Sequence, residues 1–306
     1  MRTALVIPSL GGPYLRDCLQ SVAALDPPPA EVVLVLSGSA APPAEAGGFR
    51  VQREDRRLGY AAAVNLGLGS LSEDTEAVAV LNDDALPAPQ WLGAVTRAFE
   101  RRPDAAAVQG TVVSADGSRV DGRGIAFDRW GLPVQVDRDR PFADDHGERP
   151  LVAVSGTACV FRLQALRQIA LGNGQVFDET FDCYHEDLDV GLRLRRSGWS
   201  AAWMGGAPVR HLGSASGGRF AWRHPWWLLA NRWRALAGNL TPGATLRETP
   251  RLLRGDLRAV NTLARRNPRA VLTGAAVLAS LPFIIIDGWL RSTPGPRLGA
   301  IPETAS

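Results

Sequence analysis

Short apolar runs and helically spaced apolar positions alternate through the first third of the chain. Residues 3–8 (TALVIP) and 31–36 (EVVLVL) are β-branched runs bounded by Gly, Pro and Ser. Between them Tyr14, Leu15, Cys18, Leu19, Val22 and Leu25 recur at helical spacing, which predicts a strand–helix–strand unit. A second helix is predicted over residues 61–71 and a further strand over residues 77–81. Strands that are apolar throughout and alternate with helices imply a parallel sheet covered on both faces. Ligands of such sheets collect beyond the strand C-terminal ends, where Pro8-Ser9, Ser37-Gly38-Ser39 and Asn82-Asp83-Asp84 all fall.

From about residue 107 to 160 the apolar positions come in short alternating runs with turn residues between them. This predicts antiparallel hairpins, with Asp116-Gly117 at one turn. SGTACVF (155–161) resumes a buried strand, and LQALRQIA after it is helical. Past residue 213 the chain becomes rich in Trp and Arg, as in FAWRHPWWLLANRWRALAG, which favours an amphipathic helix. Residues 270–286 (AVLTGAAVLASLPFIII) carry no charge, a length at the short edge of a membrane span. Pro282, the small residues and the modest length favour a buried or interfacial helix that associates peripherally with a membrane.

Composition changes this picture in two ways. The 306 residues suffice for one large core or two small ones. Net charge is only +3, but every one of the 34 basic residues is arginine, and these thicken after residue 193. A basic C-terminal third suits pyrophosphate or an acidic membrane surface. No helix-turn-helix, zinc or RNA-recognition signature accompanies the charge, so nucleic acid is not expected as a partner. Cys18, Cys159 and Cys183 are odd in number and widely spaced, which points to a reducing compartment rather than a disulfide framework. Met1-Arg2 runs straight into TALVIPSL with no signal-peptide pattern. The expected location is the cytoplasm, at the inner face of the cell membrane.

The candidate chemistry lies in two acidic clusters. In FDETFDCYHEDLD (177–189), Glu186, Asp187 and Asp189 open a helical stretch, Leu188, Leu192 and Leu194. A helix N-terminus welcomes acids for its own sake, because its free N–H groups and dipole favour negative charge. Far upstream, Asn82-Asp83-Asp84 ends a predicted strand. One cluster at a strand end and another at a helix start suggest a metal-bound anionic substrate facing a general base.

These residues resemble family-2 glycosyltransferases, the inverting class with the GT-A fold, and within it rhamnosyltransferase-like enzymes of bacterial cell-surface polysaccharide assembly. The resemblance runs from about residue 3 to about residue 240. VIPSLGG resembles the first strand and nucleotide-side loop. RLGYAAAVNLGL (57–68) resembles the Asn-x-Gly-Phe-Ala…Asn-x-Gly signature, with Arg57 and Tyr60 as substitutions. LNDDALP resembles the strand-terminal Asp-x-Asp motif in its Asn-x-Asp form, and SGTACVFR the segment beneath the acceptor. FDETFDCYHEDLDVGLRLRRSGW matches the Phe-Asp-Glu…Glu-Asp-x-Asp…Arg…Gly-Trp block, and VRHLGSAS (209–216) the downstream His…Ser segment. Two departures stand out. Leu36 occupies the place of an Asp that reads the nucleotide base. Arg232-Trp233 is present without the Gln of the processive Gln-x-x-Arg-Trp motif, Leu229 standing there instead.

The resemblance implies an α/β fold of GT-A type: a Rossmann-like, mostly parallel sheet with helices on both faces and a C-terminal helical extension. Residues 1–240 would form the transferase domain (1–105 the nucleotide-sugar half, 106–216 the acceptor and catalytic half). Residues 241–306 would form the extension. The implied reaction is inverting transfer of a single sugar from a nucleotide-diphosphate sugar, such as dTDP-rhamnose or a UDP-sugar, to a cell-surface or lipid-linked glycan. Asp187 would be the base. Asp84 and His211 would hold Mg²⁺ or Mn²⁺. Pro8, Ser9, Arg57, Gly59, Asn65, Asn82 and Asp83 would line the donor, and Gly156, Glu186 and Asp189 the acceptor. Trp199 and Trp203 are candidate sugar-stacking rings or core residues. A nucleotidyltransferase would carry a Gly-rich basic loop after the first strand, whereas SLGGPYL has no cation before Arg16. A non-catalytic sugar- or membrane-binding module is the other alternative. A dinucleotide-binding dehydrogenase lacks its Gly-x-Gly-x-x-Gly here.

Overall fold

The computed structural model describes residues 1–213, 223–265, 268–291, 293 and 295–303. Residues 214–216 of the predicted His…Ser segment, and Arg219 and Arg266 of the basic third, lie outside the described residues. The elements run β1 (Thr3–Ser9), α1 (Leu15–Ala23), β2 (Glu31–Ser37), β3 (Arg50–Glu54), α2 (Tyr60–Leu68), β4 (Ala77–Leu81), β5 (Ala85–Pro87) and α3 (Trp91–Arg101). Then come β6 (Ala105–Gln109), β7 (Val112–Val113), β8 (Val120–Gly122), β9 (Ile125–Phe127), β10 (Pro133–Gln135), β11 (Glu148–Leu151), β12 (Ala158–Arg162) and α4 (Leu163–Gln168). The chain continues through α5 (Glu186–Arg196), β13 (Ser200–Met204), β14 (Val209–His211), α6 (His224–Asn239), α7 (Pro242–Ala264) and α8 (Arg269–Leu290).

The central sheet has the order β11-β13-β6-β12-β4-β1-β2-β3. Strands β4, β1, β2 and β3 are mutually parallel, as the alternation of apolar strands and helices predicts. The strand read from SGTACVF lies antiparallel between β4 and β6, a direction that apolar composition does not encode. Alternate residues of β1 feed opposite faces. Leu5 and Ile7 join the core under α1 and α3, while Val6 joins the core under α2, α4 and one side of α5. At Gly67 helix α2 comes so close to the sheet that a Cβ would lie 2.4 Å from Val6 Cγ1, so no larger residue fits there.

A four-stranded sheet, β5-β14-β7-β8, and the β9–β10 hairpin lie beyond the ends of the main sheet. Gly117, in the turn between β7 and β8, takes a φ of 75°, the left-handed conformation expected of that Asp-Gly turn.

Helix α5 is apolar on two sides. Val190 and Leu194 face the sheet core, and Leu188 and Leu192 join a third core built with α6, α7 and α8. That core runs without a break across residue 240. The Arg232-Trp233 pair belongs to it: Arg232 Nη2 donates to Asp256 Oδ1 at 2.5 Å and Trp233 Nε1 donates to Asp256 Oδ2 at 2.7 Å. In this chain the two residues tie α6 to α7. A buried charge pair of this kind is costly to break from one side, because the remaining charge stays out of water.

Candidate active site

Two acidic loci meet through a single turn. Strand β4 ends at Leu81, and the backbone N–H of Asn82 donates to the Thr157 carbonyl at 2.9 Å. One residue earlier in that turn, the N–H of Gly156 donates to Asp187 Oδ2 at 3.0 Å. The turn is held from a third side, since the Tyr60 hydroxyl donates to the Gly156 carbonyl at 2.7 Å. A Cβ on Gly156 would lie 2.5 Å from that hydroxyl, so the residue is confined to glycine. Tyr60 also ties down the acidic segment, its own N–H donating to the Asp182 carbonyl at 2.9 Å.

At the strand end, Ser9 Oγ donates to Asp83 Oδ2 at 2.5 Å, which joins the ends of β1 and β4. Burial pushes the Asp83 carboxyl up, against the Ser9 bond that lowers it. Asp84 is buried, and its Oδ1 lies 3.3 Å from His211 Nε2 on β14. His211 Nδ1 is 2.7 Å from Asp121 Oδ2 on β8. Burial works against charge on this imidazole, but the two carboxylates outweigh it and raise its pKa to about 9. Asp121 in turn meets Arg138, with 3.3 Å between Nη2 and Oδ1.

At the helix start, Asp187 is half-buried, and its second oxygen accepts the Leu188 N–H at 2.8 Å. Burial raises its pKa while the two backbone bonds oppose the rise. Glu186 is buried, and its Oε2 has no hydrogen-bond partner among the described residues. Burial first, and the Asp187 charge second, push its carboxyl well above the usual range. His185, before the helix, has its pKa lowered to about 4 by burial, so its ring is neutral and Nε2–H donates to the Leu228 carbonyl at 3.1 Å.

Several expected site residues are engaged elsewhere. Pro8 is buried within β1, paired with Val35, and only Ser9 reaches the sheet edge. Asn65 binds the backbone of Phe177 through both ends of its amide, at 2.8 and 2.9 Å, and so fastens α2 to the approach to the acidic segment. Asp189 is buried under α5, where it accepts from Arg193 Nε at 2.9 Å and Asn239 Nδ2 at 2.8 Å. Both side chains are bonded within the protein. Arg57 faces Asp182 at 3.8 Å, and Gly59 packs against the same aspartate, so close that a Cβ would lie 2.6 Å from its Oδ1. Trp203 is a core residue that donates to Thr111 Oγ1, and Trp199 donates to Gln168 on the far end of the sheet. Asp121 went unread because it sits in a short turn-rich stretch, and only the pairing of β7 with both β8 and β14 carries it to His211.

This arrangement on a GT-A scaffold defines the class of protein. Residues 5–170, over half of the chain, match the family described as Glycosyl transferase family 2, and the chain belongs to that family. The N-acetylglucosaminyl-diphospho-decaprenol L-rhamnosyltransferase of Mycobacterium tuberculosis (strain CDC 1551 / Oshkosh) is 27% identical over 293 residues, covering 78% of this chain and 92% of its own. Among solved structures, GalNAc-T7 with UDP, GalNAc and Mn²⁺ superposes with a TM-score of 0.59 at 15% identity. That match covers 79% of this chain and 48% of the other, so this chain spans about half of that enzyme. S. aureus TarS 1–349 with UDP gives 0.57 at 13% identity, covering 94% and 89%. These likenesses bear out the GT-A fold.

Because the folded His211 pKa lies above its ordinary value of 6.5, the stability its ion pairs contribute is complete below about pH 6.5 and is lost as pH rises through about 9. In the metal-free protein an NMR titration of this imidazole is expected to have its midpoint near 9. Asp121→Asn removes one of the two carboxylates and should bring the midpoint down toward 6.5; an unmoved midpoint would mean that Asp121 does not hold this ring.

Proposed function

We propose that the protein is an inverting, metal-assisted glycosyltransferase that moves one sugar from a nucleotide-diphosphate sugar to a lipid-linked glycan. The observation that carries this reading is the 155–157 turn, bonded both to the strand end bearing Asp83 and Asp84 and to the carboxylate of Asp187. A single displacement needs a leaving-group site and a base held in fixed relation, and this turn relates the two. The acceptor class is drawn from the Mycobacterium tuberculosis relative, whose name gives a diphospho-decaprenol-linked N-acetylglucosamine as acceptor and rhamnose as the sugar transferred.

Asp84 and His211 offer one carboxylate and one imidazole to a divalent cation. Among the described residues no group of three or more metal-ligating side chains is gathered. Two ligands suit Mg²⁺ or Mn²⁺, which keep waters and complete their shell with substrate phosphates. Bound there, the ion would neutralise charge on the departing diphosphate. Asp121 would keep the His211 proton on Nδ1, leaving Nε2 free to ligate. Ser9 and Asp83 border the nucleotide side.

Asp187 is the base. Its two oxygens are oriented by the Gly156 and Leu188 N–H groups, and its raised pKa equips it to take a hydroxyl proton. Glu186 beside it, its carboxyl pushed well above the usual range chiefly by burial, borders the acceptor.

The C-terminal helices give the protein a membrane-facing side. Val271, Leu272, Leu278, Phe283, Ile286 and Leu290 are all exposed on α8. On α7, Arg254 and Arg258 are exposed together with Leu257, and Arg265 is exposed just past its end. Helix α8 is long and apolar enough to cross a membrane, yet 33% of its apolar window is buried within the protein. A helix packed on α6 along one side and apolar on the other fits an interfacial position, with arginines toward anionic headgroups. Removing it would open the core it shares with α6, so substitution rather than truncation isolates its role. Leu272→Glu with Phe283→Glu should abolish co-sedimentation with phosphatidylglycerol vesicles and leave the melting temperature nearly unchanged; undiminished sedimentation would remove this face from the membrane.

Asp187→Asn keeps the size of the side chain but cannot accept the proton. Donor affinity with Mn²⁺ should change little while turnover falls by a factor on the order of 10²–10⁴, the usual share of general base catalysis. Near-normal turnover, with Glu186→Gln inactive in the same assay, would move the role to Glu186.

A further inference from the structure

The segment just before the base is strained, and helix α6 holds it so. Asp182, Tyr184 and His185 have φ of 59°, 68° and 71°, conformations that non-glycine residues keep only where the surroundings over-determine them. The side-chain amide of Asn231 on α6 donates to the carbonyls of Phe181, Cys183 and Tyr184 at 2.8, 2.9 and 3.0 Å. His185 adds its bond to the Leu228 carbonyl on the same helix. One consequence of this forced path is the position of the Tyr184 ring. It meets His224 edge-on at 5.0 Å between centroids and lies tilted against Trp227 at 6.2 Å. Tyr184 and His224 remain half-buried while Trp227 is buried, so the first two rings form the open side of the stack.

We propose that Tyr184, backed by His224 and Trp227, is a platform for the sugar ring of a diphosphate-linked acceptor beside Asp187. This rests on the reading of Asp187 as the base. The donor diphosphate belongs with Asp84 and His211, and what borders the base is therefore the acceptor's share of the site. A pyranose presents an apolar C–H face and polar edges, the two properties that a stack of amphipathic rings matches. The Tyr184 hydroxyl, pushed up to about 12 chiefly by burial, stays protonated and available to a sugar hydroxyl. A guanidinium group borders the stack. Arg223 lies 5.3 Å over the Trp227 ring, with Nη1 3.5 Å from Asp182 Oδ2. A diphosphate-linked sugar suits such a border better than a neutral glycan does. Asn231 is a positioning residue in this arrangement.

Calorimetric titration of a water-soluble short prenyl-diphospho-sugar, without donor, tests the platform on the full chain. Tyr184→Asn removes the ring yet tolerates the left-handed backbone, and Trp227→Leu keeps an apolar side chain behind it. Each should weaken acceptor binding by about tenfold or more, the effect of losing one aromatic contact. Binding of UDP or dTDP with Mn²⁺ should stay within about twofold of the unsubstituted protein. Unchanged acceptor affinity in both variants overturns the platform. Parallel loss of nucleotide and acceptor binding overturns it too, because the rings would then be packing residues. If the unsubstituted protein binds no prenyl-diphospho-sugar, it is the functional reading that fails instead.

Discussion

Everything at the site depends on carboxylates being kept close to one another and partly out of water. Asp83 with Asp84, and Glu186 with Asp187, are like-charged pairs whose burial is unfavourable unless donors surround them. The protein answers with backbone. The 155–157 turn gives one N–H to Asp187 and takes one from Asn82, so the two loci are set by hydrogen bonds of about 3 Å rather than by flexible side chains. Tyr60 braces the turn and the acidic segment together. Where donors run out, the charged form is disfavoured: Glu186, with an oxygen that has no hydrogen-bond partner among the described residues, is the carboxyl pushed well above its usual range.

The same economy of charge explains the other acids. Asp84 does not stand bare at the strand end: it faces His211 Nε2 while Asp121 faces Nδ1, so a divalent cation would enter by displacing the Nε2 proton alone. Asp189 and Asp256 are buried with an arginine each and build the framework. Catalytic and structural carboxylates are thus told apart by their partners. Those facing Arg193 or Arg232 are paired with a fixed charge, while the hydrogen bonds to Asp187 among the described residues come from backbone N–H groups.

The N-terminal half was legible because its signals are local. Apolar runs of five to seven residues with helices between them specify β1, α1, β2 and β4, and an acidic knot directly after β4 has few purely structural uses. The block at 177–189 was legible in composition, but not in the partners of its acids: only the tertiary placement of Arg193 and Asn239 ties Asp189 into the framework. The Asn65 clamp was hidden for the same reason, since an amide that holds a distant backbone looks no different in sequence from one that binds a ligand. The antiparallel direction of β12, the approach of Asp121 to His211 and the stacking of Tyr184 with helix α6 all follow from long-range pairing, which periodicity does not carry.

Helix α6 links the base to the C-terminal helices. It clamps the segment before Asp187 through Asn231, and it carries α7 and α8 on its other side. The exposed apolar face of α8 and the segment before Asp187 therefore share one element. We propose that one base, Asp187, drives a single in-line displacement at the donor's anomeric carbon. The anomeric configuration of the product, read by NMR coupling constants against that of the donor, tests it most directly. Inversion is the predicted result. Retention of configuration would require a second displacement or a front-side path, and would contradict the account.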